Sequence, residues 1–443
     1  MMTGLSAELR EPYAARFAQL MGDEKRGWLA PARRIAFDTF VAQGWPTKKQ
    51  EDWRFTDIAP ITEEPLLPGP APSRLAPSDF DAALVNLGGG EAHRLVFLDG
   101  RLQPGFQPAR ALPPALLVAA LSSPAAADNL ELRAQLGRHL PTSNAFVALN
   151  TAFMSDGALV HIPAGFRSEL PICLVFLAGN AGSTSFPRTL IVAGPGSQAT
   201  VVEIHLGAVG RATLANAATE IVLGTDAQLA YHAIQKAAPI GFHIGHVAVT
   251  QASGSTLSAH SLALDGRIVR NDIHTILSGE GCGCTLDGIY LAAGKSHLDN
   301  QTTIDHCQPR STSREDYRGV VDGSGHAVFS GRIIVRPGAE KTDAQQTNRN
   351  LILSDSAQIN SKPQLEIFTS DVKCSHGATT GRLDPDALFY LRARGIGERE
   401  SSHILIRAFL QQGLERVASA ELRTELEAVL DHRIDELVGE GGS

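Results

Sequence analysis

The sequence predicts a mainly β protein with a parallel β-helix or similar solenoid at its centre and helical regions at both ends. Between residue 156 and about residue 367, short runs with alternating apolar residues are separated by Gly, Ser, Asp and Asn. The starts of these runs recur at a nearly constant spacing, which is typical of stacked repeats. Helix-like spacing of apolar residues is confined to the two flanks of this region.

The N-terminal region, residues 1–142, is predicted to be mostly helical. "AELREPYAARFAQLM" and "WLAPARRIAFDTFVAQG" have apolar residues three to four positions apart, and Gly44 and Pro46 end the second pattern. A proline-rich stretch over residues 60–77 predicts an extended linker. "RLVFLDGRL" predicts a strand, residues 111–138 predict helix, and "SNAFVALNTAFM" predicts a further apolar helix.

Residues 143–378 are predicted to form the β-helix. Turn-plus-strand starts lie at positions 196, 226, 254 and 283, which is a nearly constant period of about 30. A second series, with starts at positions 294, 325 and 355, has the same approximate period. Because no helix-sized window lies between the strands, an alternating βαβ fold is excluded, and strands stacked in successive turns are expected.

The C-terminal region, residues 379–443, is predicted to be a helical domain. Asp384 is a suitable N-cap for a first helix with Pro385 at its first position. "ERESSHILIRAFLQQGLERV" and "AELRTELEAVLDHRIDELVG" predict two further amphipathic helices.

Composition excludes several classes of partner and points to a cytoplasmic protein. The net charge is −8 and no dense Lys/Arg block occurs, so a nucleic-acid partner is not expected. No apolar run approaches the ~20 residues that span a bilayer, and the N-terminus has no signal-peptide pattern, so no membrane association is expected. Five dispersed cysteines indicate reduced thiols and not a disulfide framework.

Four histidines recur at a constant interval of half the repeat: His232, His246, His260 and His274. This spacing predicts that His232 and His260 stack on one wall of the solenoid, and His246 and His274 on the other. Such a series could be a ladder of ligands or a ladder of stacked side chains. The second interpretation is favoured, because equivalent positions of a solenoid superpose.

Two other groups of residues have weaker patterns. "GCGC" at 281–284 and "DHC" at 305–307 lack the four-ligand spacing of a metal centre, so small turn residues are the better interpretation of the first. Hydrolytic β-helices need paired carboxylates, and Asp265, Asp272, Asp287 and Asp299 are the available ones, although nothing else marks them as catalytic.

The stretch "DVKCSHGATTG", residues 371–381, places Cys374 and His376 two residues apart. An imidazole close to a thiol could lower the pKa of the thiol and make it a ligand or a sulfur carrier. Both residues could equally be packed where the solenoid meets the helical tail. The local sequence leaves these two interpretations open.

The wider context resembles a known family. "SKPQLEIFTSDVKCSHGATTGRLDPDALFYLRARGI" is similar to the C-terminal signature of the SufB/SufD family of iron–sulfur cluster assembly proteins. "KKQEDWRFTDI" at 48–58 resembles a motif on the SufD side of that family, and the absence of cysteine before residue 173 favours the same side. The resemblance extends over essentially the whole chain.

The resemblance implies a right-handed parallel β-helix and a non-enzymatic scaffold. It implies a complex with a SufB-like paralogue at the C-terminal end of the β-helix and a SufC-like ATPase on the C-terminal helices. For the chain without the paralogue the oligomeric state stays open, with a homodimer as one candidate. His376 corresponds to a residue that helps to form a transient cluster at the interface, and Cys374 to a neighbouring cysteine. No cofactor is expected to bind tightly to this chain alone, and reduced flavin is expected in the complex. The alternatives are a carbohydrate-active β-helix enzyme and a SufB-like scaffold that assembles a cluster alone.

Overall fold

The computed structural model describes residues 7–23, 27–64, 66–68, 87, 92–103, 112–154, 156–179 and 181–440. Two mostly parallel sheets face each other and wind into a solenoid of about eight turns, with helices at both ends. The predicted mainly β solenoid with helical flanks is therefore confirmed.

Each turn of the solenoid contributes one strand to each sheet. Sheet A contains, in spatial order, β4 (Leu117–Ala120), β5 (Gly157–Ile162), β8 (Arg188–Ala193), β10 (Thr213–Leu223), β12 (Phe242–Gln251), β14 (Ile268–Leu277), β16 (His297–His306), β18 (His326–Val335) and β20 (Gln358–Ile367). In addition, β7 (Ser183–Ser185) pairs with β10, and β1 (Leu67–Pro68) pairs with β7. Sheet B contains β3 (Arg101–Leu102), β2 (His93–Leu98), β6 (Ile172–Ala178), β9 (Gln198–Gly207), β11 (Gln228–Lys236), β13 (Thr256–Asp265), β15 (Gly283–Ala292), β17 (Thr312–Val321), β19 (Asp343–Ile352) and β21 (Lys373–Gly381).

The two series of repeats in the sequence correspond to the two sheets. The starts at positions 196, 226, 254 and 283 lead into β9, β11, β13 and β15 of sheet B. Those at positions 294, 325 and 355 lead into β16, β18 and β20 of sheet A. Alternate residues point into the space between the sheets, here called the lumen, and the others point outward.

Helices cover the first turns of the solenoid. They are α1 (Ala7–Asp23), α2 (Ala30–Gln43), α3 (Ala59–Thr62), α4 (Pro124–Ala127), α5 (Leu130–Gln135) and α6 (Ala145–Phe153), with 3-10 turns at Gly27–Leu29 and Glu51–Trp53. Aromatic residues join α1, α2 and α6, since the rings of Tyr13, Phe17 and Phe37 all contact Phe153. Asn144 caps α6 by accepting hydrogen bonds from the backbone N–H groups at positions 146 and 147.

Part of the predicted N-terminal structure is wrong. Within the predicted helix at 111–138, Leu117–Ala120 form β4, antiparallel to β5, and bury Val118 and Ala120 in the lumen. Burial and pairing in the sheet override the helix propensity of Ala and Leu here. Within the predicted linker at 60–77, Ala59–Thr62 are helical and Leu67–Pro68 pair with β7, while residues 69–77 lie outside the described residues.

Three helices follow the solenoid: α7 (Pro385–Arg392), α8 (Glu398–Gln411) and α9 (Ala420–Glu440). Asp384 caps α7 as predicted, by accepting a hydrogen bond of 2.9 Å from Asp386 N. Apolar residues of α8 and α9 cover the outer face of sheet B, where Ile406 and Leu430 belong to one buried cluster with Ile234. No helix in the described part of the chain is long and apolar enough to cross a membrane.

Candidate functional site

The last turn of the solenoid has a free edge in both sheets. Each terminal strand, β20 in sheet A and β21 in sheet B, pairs on one side only within the described residues. β21 is exposed at nearly every position, and β20 is half-buried along most of its length. By contrast β6, near the other end, is buried at every position. The C-terminal end is therefore the open end of the molecule.

His376 lies on β21 at this open end. It pairs in register with Gln346 of β19, which pairs in register with Glu315 of β17. Glu315 and Gln346 point into the lumen, so His376 is the last position of a lumen-facing column. The His376 side chain is exposed, and no described residue gives it a hydrogen bond or an ion pair.

Cys374 faces the same side of β21 as His376, two residues earlier. It is half-buried and contacts a small apolar cluster that includes Ile333, Val335 and Ala344. Burial raises the pKa of the Cys374 thiol above its ordinary value. The thiol is therefore mainly protonated at neutral pH, which makes Cys374 a weaker candidate ligand than a neighbouring imidazole.

The other cysteines are free thiols with packing roles. Cys282 Sγ lies 3.2 Å from both Ala252 O and Gly279 O, within the turn that precedes β15. Desolvation raises the pKa of the Cys173 thiol to about 12, and burial raises that of Cys307 to about 11. No group of three or more His, Cys, Asp or Glu among the described residues could hold a metal ion.

One of the two predicted histidine stacks forms and the other does not. His232 and His260 pair in register, with ring centroids 4.9 Å apart and planes 15° apart. Burial lowers the pKa of His232 to about 3 and that of His260 to about 4, so both rings are neutral. His246 pairs instead with Asp272, because the chain from β12 to β14 is shorter than the chain from β11 to β13.

The predicted pairing of His274 is also wrong. His274 pairs with Ala248 in β12 and not with His246, although both histidines lie in sheet A as predicted. The His232–His260 pair lies on the outer face of sheet B, with His260 Nε2 3.4 Å from the Asp287 carboxylate. These contacts are those of a structural side-chain ladder, as the sequence favoured.

The carboxylates considered for hydrolytic chemistry are engaged by arginine. Arg270 contacts Asp272 at 3.0 Å and Asp299 at 2.6 Å. Arg416 contacts Asp287 at 2.5 Å. Asp265 likewise lies 3.3 Å from a guanidinium of α9. Asp272 and Asp299 share Arg270 on sheet A, and Asp287 and Asp265 pair with two other arginines on sheet B. Each carboxylate is therefore neutralised by a guanidinium, which does not favour a catalytic pair.

The N-terminal "WRFTD" segment is fixed to the outer face of sheet A beside the Arg270 ion pairs. Thr56 Oγ1 donates to Asp299 Oδ2 at 2.5 Å and lies 2.8 Å from His297 Nε2. The Arg270 guanidinium lies over the Trp53 ring, 3.9 Å from its centroid. The segment therefore has a structural role, which explains its unusual combination of Trp and Thr.

The lumen near the open end is polar, which the sequence analysis missed. Gln346 Nε2 donates to Glu315 Oε2 at 2.7 Å. Burial raises the pKa of Glu315 to about 7, although the polar side chains of Thr302 and Gln346 oppose this rise. A Cβ at Gly331 would clash with Gln346 Nε2, so this glycine leaves the space that the amide occupies.

A second set of polar side chains lies beside this column. Asn348 Nδ2 donates to Tyr290 Oη at 2.9 Å, and Asn350 Nδ2 donates to Asn348 Oδ1 at 2.7 Å. Ser361, on the other sheet, also donates to Asn348 Oδ1 at 2.7 Å. The alternation "QQTNRN" in β19 was the available signal, because it places three amides at lumen-facing positions of a predicted strand.

A groove separates the last turns of sheet B from the C-terminal helices. It has a volume of about 520 Å³ and apolar walls that include Leu383, Leu388 and Ile406. On the neighbouring helix α7, Phe389 and Tyr390 are 74% and 56% exposed. Exposed aromatic residues beside a groove mark a surface suited to a protein partner.

Comparison with protein families gives two matches that together span most of the chain. The family model described as "SUF system FeS cluster assembly, SufBD core domain" matches residues 176–409. The model described as "SufBD protein N-terminal region" matches residues 9–174.

Individual relatives match over much of their length. An iron–sulfur cluster assembly SufBD family protein of Synechocystis is 32% identical over 411 residues, covering 90% of this chain and 89% of the relative. The iron–sulfur cluster assembly protein SufD of Escherichia coli is 29% identical over 413 residues, covering 91% of this chain and 93% of the relative. SufD of Bacillus subtilis is 27% identical over 290 residues, with 65% and 66% covered.

Proposed function

Because this chain belongs to the SufBD family of iron–sulfur cluster assembly proteins, we propose that it is a SufD-type scaffold subunit that pairs with a SufB-like paralogue through its open end. The observation that carries the proposal is the last turn, whose two strands pair on one side only among the described residues, with His376 at its lumen-facing edge. In this role the chain contributes a binding surface and a ligand and has no enzymatic activity of its own.

The free edge favours a partner with the same architecture. Unpaired N–H and C=O groups of β20 and β21 form a template for further strands. A second solenoid can satisfy both edges at once if its own last turn meets this one, which extends both sheets across the interface. Without the paralogue, the same edges would support a homodimer.

His376 supplies only part of a cluster site. Iron–sulfur clusters usually have four protein ligands, and the described residues offer no group of three. A cluster bound at the interface would therefore take His376 from this chain and its other ligands from the paralogue. The raised pKa of Cys374 makes it a weaker second ligand from this chain. The cluster is transient cargo, and reduced flavin stays a prediction for the assembled complex.

The groove beside α7 and α8 is the proposed docking surface for a SufC-like ATPase. Its lining combines apolar residues with charged residues such as Arg382 and Glu398, and it adjoins the exposed Phe389 and Tyr390. Apolar and charged residues together, with exposed aromatic residues beside them, are common at protein interfaces. Because these helices cover sheet B, movement of a docked ATPase would act directly on the solenoid.

The test is co-purification of this chain with SufB-like and SufC-like proteins, followed by reconstitution with iron and sulfide. His376→Ala is expected to leave the complex intact and to lower the yield of bound cluster. Ser375→Ala is the matched control, because Ser375 lies on the same exposed strand and faces the opposite side.

The outcomes separate the parts of the proposal. A complex whose cluster yield is the same with His376→Ala as with Ser375→Ala would refute the ligand role and keep the scaffold role. Failure to bind either partner would refute both. A cluster formed by this chain alone would favour the SufB-like alternative, and polysaccharide cleavage by the isolated chain would favour the enzyme alternative.

A further inference from the structure

We propose that Gln346 is a positioning residue for His376 and that Glu315 fixes the orientation of Gln346. When His376 binds a cluster through one ring nitrogen, the N–H of the other ring nitrogen donates a hydrogen bond to Gln346 Oε1. This inference rests on the proposed function, since it requires His376 to be a ligand. It adds two buried residues to the site at the open end.

The positions of the three residues follow from the register of sheet B. Glu315 of β17 pairs with Gln346 of β19, and Gln346 pairs with His376 of β21. Paired residues of neighbouring parallel strands have side chains on the same face, and the strands lie about 4.8 Å apart. The Gln346 amide is therefore within hydrogen-bonding reach of a His376 ring that points into the lumen.

Two contacts fix the orientation of the Gln346 amide. Its Nε2 donates to Glu315 Oε2 at 2.7 Å, where the carboxyl oxygen is the acceptor. The same nitrogen occupies the space above Gly331, where any Cβ would clash with it. Because Nε2 is held against Glu315 and Gly331, Oε1 is the polar atom of the amide that is left to accept a hydrogen bond.

No described residue hydrogen-bonds to that oxygen. Gln346 is 1% exposed, and its Oε1 is buried without a hydrogen bond from any described residue. A buried acceptor without a donor destabilises the fold, so an incoming N–H would relieve this cost. His376 is the neighbouring residue in the column, and its ring also has no hydrogen bond from the described residues. The two groups are complementary.

The chemistry of histidine ligands gives this pairing a function. A metal-bound histidine usually donates its other N–H to a carbonyl or carboxylate, which fixes the tautomer and the ring orientation. Loss of such an acceptor typically lowers metal affinity about 10- to 100-fold. Gln346 would supply the carbonyl, and Glu315 would keep that carbonyl turned toward the open end by holding the amide nitrogen on the other side.

The experiment uses the complex of this chain with its SufB-like and SufC-like partners, in which this chain alone is labelled with ¹⁵N-histidine. Pulsed EPR of the reduced cluster measures the ¹⁵N coupling, and His376→Ala identifies the part that comes from His376. Gln346→Met removes the acceptor at nearly constant size, and its cluster is expected to dissociate about 10- to 100-fold faster with an altered coupling. Gln346→Asn is the second variant, in case Gln346→Met does not fold. Its side chain is one methylene shorter, so its amide oxygen cannot reach the His376 ring.

Conservative and control variants distinguish positioning from packing. Glu315→Gln keeps an acceptor for Gln346 Nε2 and is expected to retain the coupling and cluster lifetime, whereas Glu315→Leu is expected to lose both. Ser361→Ala is the matched control, because Ser361 is a lumenal hydroxyl near the open end that hydrogen-bonds to Asn348 and not to this column.

A coupling and lifetime unchanged by Gln346→Met and Gln346→Asn, but lost in His376→Ala, would overturn the positioning role and leave the proposed function standing. A wild-type cluster with no coupling to His376 would overturn both.

Discussion

Where β2 and β6 face β5 and β8, the lumen is filled by apolar side chains, whereas at the last turns it holds amides, tyrosines and a carboxyl group. In the first turns Phe97 and Phe176 stack with ring centroids 4.9 Å apart, among buried aliphatic residues of β5 and β8. Glu315 and Gln346 occupy comparable lumenal positions near the open end, and the Gln346 amide donates a hydrogen bond to the Glu315 carboxyl group.

The two ends also differ in how their edges are covered. The antiparallel strands β3 and β4 lie at the N-terminal edges of the two sheets, and helices cover the adjacent turns. β20 and β21 have no such cover among the described residues. A buried polar lumen contributes less stability than an apolar one, and natural proteins accept such a cost mainly at functional sites. The comparison therefore assigns stability to the first turns and function to the last.

The largest effect is expected from opening a cavity at the apolar end. Phe97 is fully buried, so Phe97→Ala removes a ring from the first turn and takes away one of the two rings that stack on Phe176. We expect the free energy of unfolding to fall by about 3–5 kcal/mol, measured by chemical denaturation. Thr379→Ala, on exposed β21, is the control and should change it by less than about 0.5 kcal/mol. If Phe97→Ala and Thr379→Ala lowered the free energy of unfolding equally, the two ends would contribute equally to stability.

A smaller effect is expected from filling the space that the polar lumen requires. A Cβ at Gly319 would clash with the ring of Tyr290, so Gly319→Ala forces Tyr290 from its place among the lumenal amides. The expected loss is about 1–3 kcal/mol in the free energy of unfolding. Gly377→Ala is the matched control, because nothing lies within 4 Å of a Cβ there. A tolerated Gly319→Ala would show that the lumenal network adapts freely.

The sequence predicted the repeating part of this molecule better than its polar end. Periodic turns and alternation specify stacked strands, and both repeat series mark the correct sheets. The prediction of the second histidine stack was wrong, because a constant interval in the sequence does not fix the register when turns differ in length. As a result, His246 pairs with Asp272. The roles of Gln346 and Glu315 depend on a contact between two separate strands, which local patterns do not specify.

A third prediction concerns the pH dependence of the polar end. Burial raises the pKa of Glu315 to about 7 in the folded protein, above the ordinary value that it has when unfolded. The folded state therefore binds this proton more tightly, and stability falls as pH rises through the folded-state pKa. Between about pH 6 and pH 8, the wild type should lose roughly 1 kcal/mol relative to Glu315→Gln. Parallel stability curves for the two proteins would contradict the buried, raised pKa.

The smallest change in stability is expected at Cys374, where the sequence left open a reactive thiol–imidazole pair. Cys374→Ser replaces a half-buried thiol in a small apolar cluster and should cost less than about 1 kcal/mol. Because burial raises the pKa of this thiol, its alkylation by iodoacetamide should be slower than that of a free thiol at the same pH. His376→Ala should leave that rate unchanged. A slower reaction in His376→Ala would mean that the imidazole activates the thiol, and the open end would then carry sulfur chemistry in addition to a ligand.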